Sequence, residues 1–269
     1  VEKGGLIKQL IEVWTDQESL RGRNNHMAAL ARHYSKSQKN RIRNGNRAND
    51  LFREVCEFFR GVDNSNYAYY SFDKIRNLSR LDFSVEEIAS QWDELAVDAD
   101  VPKTPWIEME LGYWRAQNIQ RSNKSSQILP LLSRNFEILV EELHLTPFLN
   151  KNRHWLARSV FRQRFYKLIA IQDIESAREM VESIRQFKSF NSSDIVEFEA
   201  TILHSEGDLD SAFRKLKEAR EECLSLDEKM QIWSTEVQLR IKSKQWREAT
   251  RDFWECFSWA CKILEEKQY

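Results

Sequence analysis

The stretch GDLDSAFRKLKEA, Gly207 to Ala219, reads as a turn followed by an amphipathic helix, and its near-copies decide the fold. It aligns with QDIESAREMVESI (Gln172–Ile184) and KQWREATRDFWEC (Lys244–Cys256), so the starts at 172, 207 and 244 lie 35 and 37 residues apart. Self-similarity at such a spacing is the signature of stacked supersecondary units. The sixth position is a small residue in every copy: Ala177, Ala212 and Ala249. The third is apolar (Ile174, Leu209, Trp246), as are the tenth (Val181, Leu216, Phe253) and the thirteenth (Ile184, Ala219, Cys256). These offsets gather large side chains on one helix stripe and set a small one where two helices approach closely. The preceding helix repeats too. Phe161, Val196 and Trp233 stand eleven residues before the starts, and Phe165, Ala200 and Val237 seven before. Gly207 therefore marks the turn inside a helix pair.

Composition agrees with a helical chain. Seven Gly and four Pro among 269 residues are too few for the many tight turns of a β-rich protein. A hydrophobic content of 41%, with nine Trp and fifteen Phe, suffices for a packed core. Ser84–Glu87 and Ser225–Glu228 have capping-box spacing, Thr104-Pro105 and Thr146-Pro147 set a hydroxyl before a first-turn Pro, and Pro130 falls in another first turn. Helices are predicted near 4–20, 25–38, 47–60, 67–80, 84–98, 104–121, 127–144, 151–170, 173–188, 193–205, 208–224, 227–242 and 245–265. The class is all-α. The expected organisation is an N-terminal helical region over 1–125, with a basic loop at 35–48, and helical repeats over 126–269.

Across residues 151–265 the pattern resembles the tetratricopeptide repeat family, through Trp233 in the first helix of the third copy and Ala200, Gly207, Ala212 and Ala219 in the second. The chain departs from that family in lacking a closing Pro, in periods above the family's 34 residues, and in placing Phe165 and Val237 at a small-residue position. The resemblance implies an α-solenoid of about a dozen helices in antiparallel pairs, with first helices lining a concave groove that binds proteins. Its register places Ser159, Arg162, Tyr166, Asp194, Glu197, Thr201, His204, Gln231, Ser234 and Gln238 as exposed groove positions. The family's chaperone-tail binders hold a carboxylate with basic residues there; only Arg162 suits that role, and Asp194 and Glu197 oppose it. The last copy also resembles the helical arms of proteasome-lid and signalosome-type subunits, in which a winged-helix domain follows the arm. With Val1 in place of Met and a stop at Tyr269, the chain then reads as an excised arm.

Sequence signals for chemistry are sparse. There is no phosphate-cradling Gly-rich loop and no G-x-S-x-G elbow. The E-x-x-H half-site Glu141–His144 has no second copy, so a surface pairing is the simpler reading. Cys56, Cys223, Cys256 and Cys261 form no C-x-x-C pair, which points to a reducing compartment. No signal peptide or apolar run of membrane-spanning length is present, so the expectation is an intracellular protein, cytoplasmic or nuclear, with no cofactor, no metal and no membrane.

A formal net charge of −1 hides segregation. Residues 19–49 contain no acid but carry Arg32, Lys36, Lys39, Arg41, Arg43 and Arg47, and residues 143–172 contain none but carry Arg158, Arg162, Arg164 and Lys167. These segments suit either phosphate contacts, with Tyr34, Trp155 or Tyr166 as stacking faces, or solvated and protein-facing surfaces. Trp155, Phe161 and Phe165 follow the apolar stripe and are expected in the core. The leading expectation is a non-catalytic scaffold or adaptor that binds a partner protein within a multi-subunit complex; the alternative is RNA or DNA binding through segments 19–49 and 143–172.

Overall fold

The computed structural model describes residues 17–36, 41–79, 81, 83–121, 128–146, 149, 151–223 and 225–266. Among these, twelve helices and no strands occur: α1 (Gln17–Lys36), α2 (Arg41–Phe59), α3 (Asn64–Leu78), α4 (Val85–Val97), α5 (Pro105–Arg121), α6 (Ile128–Leu145), α7 (Lys151–Ala170), α8 (Ile174–Ile184), α9 (Ser192–Ser205), α10 (Leu209–Glu222), α11 (Leu226–Lys242) and α12 (Trp246–Glu266). The chain is all-α. It divides into two compact units between Leu139 and Val140, within α6.

In the first unit α1, α2 and α3 contact one another in every pairing, and α4 contacts both α3 and α5. The core holds Phe59, Phe72, Ile88, Trp92 and Ile107, with Trp92 stacked on Trp114 at 6.3 Å. Two expectations fail here. The predicted break between helices ending at 20 and starting at 25 is absent, because Asn24 is buried and its Nδ2 donates to the Leu20 carbonyl one turn back at 2.8 Å. That bond satisfies the amide without interrupting the helix. The expected basic loop 35–48 is helical from Arg41 onward; residues 37–40, and with them Lys39, lie outside the described residues. Gly45, inside that expected loop, packs within α2: its carbonyl accepts from Asn77 Nδ2 at 2.9 Å, and a Cβ would meet Leu81 Cδ2 at 2.4 Å. Residues 4–16 of the helix expected at 4–20, and Pro147 of the expected Thr146-Pro147 cap, also lie outside the described residues.

Elsewhere local signals match. Ser84 and Glu87 form a reciprocal capping box. Ser225 caps α11 by accepting from Glu228 N at 3.2 Å. Pro105 is the first residue of α5.

In the second unit contacts run α7–α8, α8–α9, α9–α10, α10–α11 and α11–α12, with α9 also touching α11. The three aligned copies share one turn. Gln172, Gly207 and Lys244, the first residue of each, have φ of 62°, 88° and 60°. Their amides donate to Ile169, His204 and Ile241, and the next amides, of Asp173, Asp208 and Gln245, donate to Leu168, Leu203 and Arg240. These paired bonds are a Schellman closure, made three times at equivalent positions. Asp173 and Asp208 then cap the next helix, accepting from Ser176 N and Ser211 N. The close-contact alanines are buried as expected: Ala177 and Ala212 at 0% exposure and Ala249 at 5%. Phe161 and Phe165 are fully buried, whereas Trp155, expected in the core, is 47% exposed.

Candidate functional site

Six of the ten groove positions predicted from the repeat register, Arg162, Tyr166, Asp194, Glu197, Thr201 and Gln231, come together, but as a largely buried network. Asp194 and Glu197, one turn apart on α9, face Arg158 and Arg162, one turn apart on α7. Asp194 binds both guanidiniums and accepts from Gln231 Nε2 of α11 at 2.9 Å. Glu197 pairs with Arg162 at 2.7 Å, accepts from Gln231 Nε2 at 2.8 Å, and accepts from the Tyr166 hydroxyl at 2.8 Å. Two acids and two arginines thus cross-link three helices, with neutral total charge.

Asp194, Glu197 and Thr201 are 1%, 6% and 2% exposed, which corrects the expectation that they face solvent. The physical cause lies in the pairing itself. A carboxylate leaves water only with its hydrogen-bonding capacity filled, and the α7 arginines, Asn191 and Gln231 fill it. Asp194 Oδ2 also accepts from Asn191 N at 3.2 Å, completing a capping box at the start of α9. Thr201 Oγ1 donates back to the Glu197 carbonyl. Burial, then the neighbouring Glu197 charge, pushes the Tyr166 phenol far up, so it remains a donor. Ser159, Gln231 and His204 are half-buried, and only Ser234 and Gln238 of the predicted set are exposed. His204 Nε2 lies 3.2 Å from the Leu239 carbonyl and 2.7 Å from Ser243 Oγ; burial pulls its pKa down.

A second buried ionic cluster joins α10, α11 and α12. Glu236 pairs with Arg220 at 2.8 Å and Arg240 at 3.0 Å, and Arg240 also pairs with Asp252. Arg220 lies over Trp233 at 4.7 Å and Arg240 over Phe213 at 4.2 Å. Burial pushes the Glu236 carboxyl up against the opposing pull of Arg220.

The basic residues considered for phosphate binding are dispersed. Arg158 and Arg162 belong to the ionic interior, while Arg164 and Lys167 are half-buried. In the first unit Arg32 pairs with Asp73 at 2.6 Å and Arg47 lies over the Tyr34 ring at 5.8 Å. Lys36, Arg41 and Arg43 are exposed. Of the expected stacking faces, Tyr34 carries Arg47, and Tyr166 carries Lys242 at 5.8 Å.

Among the described residues no group of three His, Cys, Asp or Glu could hold a metal, and His144 packs edge-on against Phe187 at 4.9 Å. Burial pushes the thiols of Cys56, Cys223 and Cys256 up, away from the thiolate form a nucleophile needs. No described helix is long and apolar enough to cross a membrane.

The surface that stands open is elsewhere, on α12. Trp246, Phe253, Trp254 and Phe257 are 59%, 51%, 57% and 52% exposed. Residues 246, 253 and 257 lie at i, i+7 and i+11 on one stripe, with Trp254 beside them and Thr250 between. Phe253, Trp254 and Phe257 form a mutual ring cluster with centroids 5.6 to 6.4 Å apart. The other face of α12, Ala249, Asp252 and Cys256, is buried. The tenth repeat position is apolar in all three copies and shares one helix stripe, yet its burial differs. It is buried in Val181 and Leu216, at 1% and 0% exposure, but not in Phe253, because no described helix lies over α12 as α9 and α11 lie over α8 and α10. The sequence signal was legible: α12 has apolar residues at 246, 249, 253, 254, 256, 257, 259 and 260, more than one buried stripe can use.

Comparison with protein-family models, with curated proteins and with solved structures gave no match to this chain.

Proposed function

We propose that this chain is a non-catalytic scaffold, a TPR-like α-solenoid of antiparallel helix pairs, that binds a partner protein within a larger complex. The observation that carries it is the exposed, uncharged aromatic stripe of α12. The repeated Schellman turns and buried alanines support the solenoid. Patches of this kind mark interaction surfaces, and Trp is enriched among residues that dominate binding energy. Covering the half-exposed area of four aromatic side chains removes roughly 400 Å² from water, on the order of 10 kcal/mol before the costs of association. The ionic network fills the expected groove, so the end face, rather than residues such as Glu197, is the docking surface.

The test compares the native chain with Phe253→Glu and Trp254→Glu variants as baits in extract from the native source. Both side chains are more than half exposed, so circular dichroism and melting temperature should hold. At least one protein captured by the native chain should be lost from both variants. Identical capture by all three would overturn the assignment.

A further inference from the structure

The two junctions between copies are built alike, and the third differs from them in one informative position. The fourteenth residue of the first copy, Arg185, pairs with Glu199 of α9, and the fourteenth of the second, Arg220, pairs with Glu236 of α11 at 2.8 Å. Glu199 and Glu236 are themselves equivalent, each three residues after the aligned Val196 and Trp233. On either side of each acid the covering helix carries apolar residues: Ile195 and Ile202 in α9, Ile232 and Leu239 in α11. Ile232 and Leu239 pack in one cluster with Leu216, the tenth residue of the second copy. A covering helix therefore presents apolar, acid, apolar at i, i+4 and i+7. In the third copy the fourteenth residue is Phe257, exposed and stacked at 6.4 Å on Phe253, and the tenth is Phe253 itself.

Resting on the scaffold function above, we infer that the α12 face takes an amphipathic helix of a partner protein, laid as α9 lies on α8 and α11 on α10. That helix carries an uncharged apolar residue where α9 and α11 carry Glu199 and Glu236. An acid there would be desolvated against Phe257, which offers a ring where the earlier junctions offer an arginine, and an acid desolvated without a partner is costly. The chain's own remaining first helix does not supply this pattern in a second copy. The register places Val160, Arg164 and Lys167 of α7 at the three positions, and Val160 is already fully buried. None of the three first helices of the repeats fits, and the occupant we assign is a helix of another protein.

The test uses the full chain and two hydrocarbon-stapled, fluorescein-labelled peptides of residues 225–242, one native and one carrying Glu236→Leu, read by fluorescence anisotropy. The Leu peptide should bind saturably and at least tenfold more tightly than the native peptide. Phe257→Arg, an exposed substitution that restores the arginine of the first two junctions, should invert the preference. Absence of saturable binding by the Leu peptide, or a preference that Phe257→Arg leaves unchanged, overturns the inference. So does a concentration-dependent dimer in sedimentation that Phe253→Glu abolishes and the Leu peptide does not compete with, which would give the face to a second copy. If the peptides fail while the baits still lose a partner, the scaffold stands and the helix occupant falls. If the baits capture alike, the scaffold function falls whatever the peptides do.

Discussion

Replacing Asp194 with alanine should cost the second unit a large part of its stability. The side chain is 1% exposed and is the shared counter-charge of Arg158 and Arg162, which keep 31% and 35% of their own side-chain surface in water. Its removal leaves Arg158 without a carboxylate and Asn191 N without its acceptor, while Arg162 and Gln231 Nε2 keep only Glu197. Breaking a buried ion pair from one side costs about 3–5 kcal/mol, and the partial exposure of both arginines favours the lower end. The unit spans about 130 residues. An unfolding entropy of roughly 2.1 cal/mol/K per residue then makes 3–4 kcal/mol equivalent to a fall of about 11–15 °C in melting temperature. Asp194→Asn keeps the size and one acceptor oxygen and should lose about half as much. The assay is thermal and urea unfolding followed by far-ultraviolet circular dichroism. A loss below about 1 kcal/mol for Asp194→Ala, the range of an exposed pair, would refute the network as a structural element. It would also return Asp194 and Glu197 to the solvent-facing role their register suggests.

Further substitutions probe the turns, the helix contacts and the acid response. Gln172 and Lys244 hold positive φ, so Gln172→Gly and Lys244→Gly should each raise stability by up to about 1 kcal/mol, whereas Gly207→Ala should lower it by about 1 kcal/mol; open space around Gly207 leaves backbone strain as the only cause, and urea midpoints measure all three. Gly112→Ala drives a Cβ to 2.2 Å from Oδ1 of the buried Asn135 and should cost about 1–3 kcal/mol; an unchanged melting temperature would contradict this packing. His204 has its folded-state pKa lowered by burial, so the unfolded chain binds the proton more readily. The associated stability is present above the unfolded value near 6.5 and drains as pH falls through the lower folded value. His204→Gln should therefore lose less stability than the native chain between pH 7.5 and 5.5, and equal losses would refute the assignment.

How much of this was legible in the sequence depends on the range of the interaction. Ala177, Ala212 and Ala249 announced the close contacts because helix packing is periodic and local. Gly207 announced its turn for the same reason, since it alone of the three carries the residue a positive φ favours. Gln172 and Lys244 take that conformation with no composition signal, held by the Schellman bonds around them. The break expected between 20 and 25 and the loop expected at 35–48 fail because the Asn and Gly there each have two common uses. An Asn can break a helix or bond back into it, and a Gly can turn a chain or admit a neighbour. The pairing of Arg158 with Asp194 spans 36 residues, so periodicity on either helix fixes the face but not its partner. The opposite charge of α7 and α9 was visible, and it spoke for a bond between them as much as for a mixed groove.

That bond closes the face between α7 and α9, whereas α12 stays open because no described helix lies over it. The two acids and two arginines of α7 and α9 balance, and so do Glu236 and Asp252 against Arg220 and Arg240. Every member of a balanced buried set is constrained, because changing one strands another. A groove built this way cannot easily vary its charge to suit a ligand. The stripe of Trp246, Phe253, Trp254 and Phe257 carries no such obligation: all four are more than half exposed and uncharged, and each can change without leaving a buried charge behind. Phe257 stands where two earlier copies hold an arginine paired to the next helix, so the repeat itself marks this position as a junction. Exchanging that arginine for an aromatic ring removes the chain's own acid-bearing helices as fitting occupants and leaves a face selective for an uncharged one.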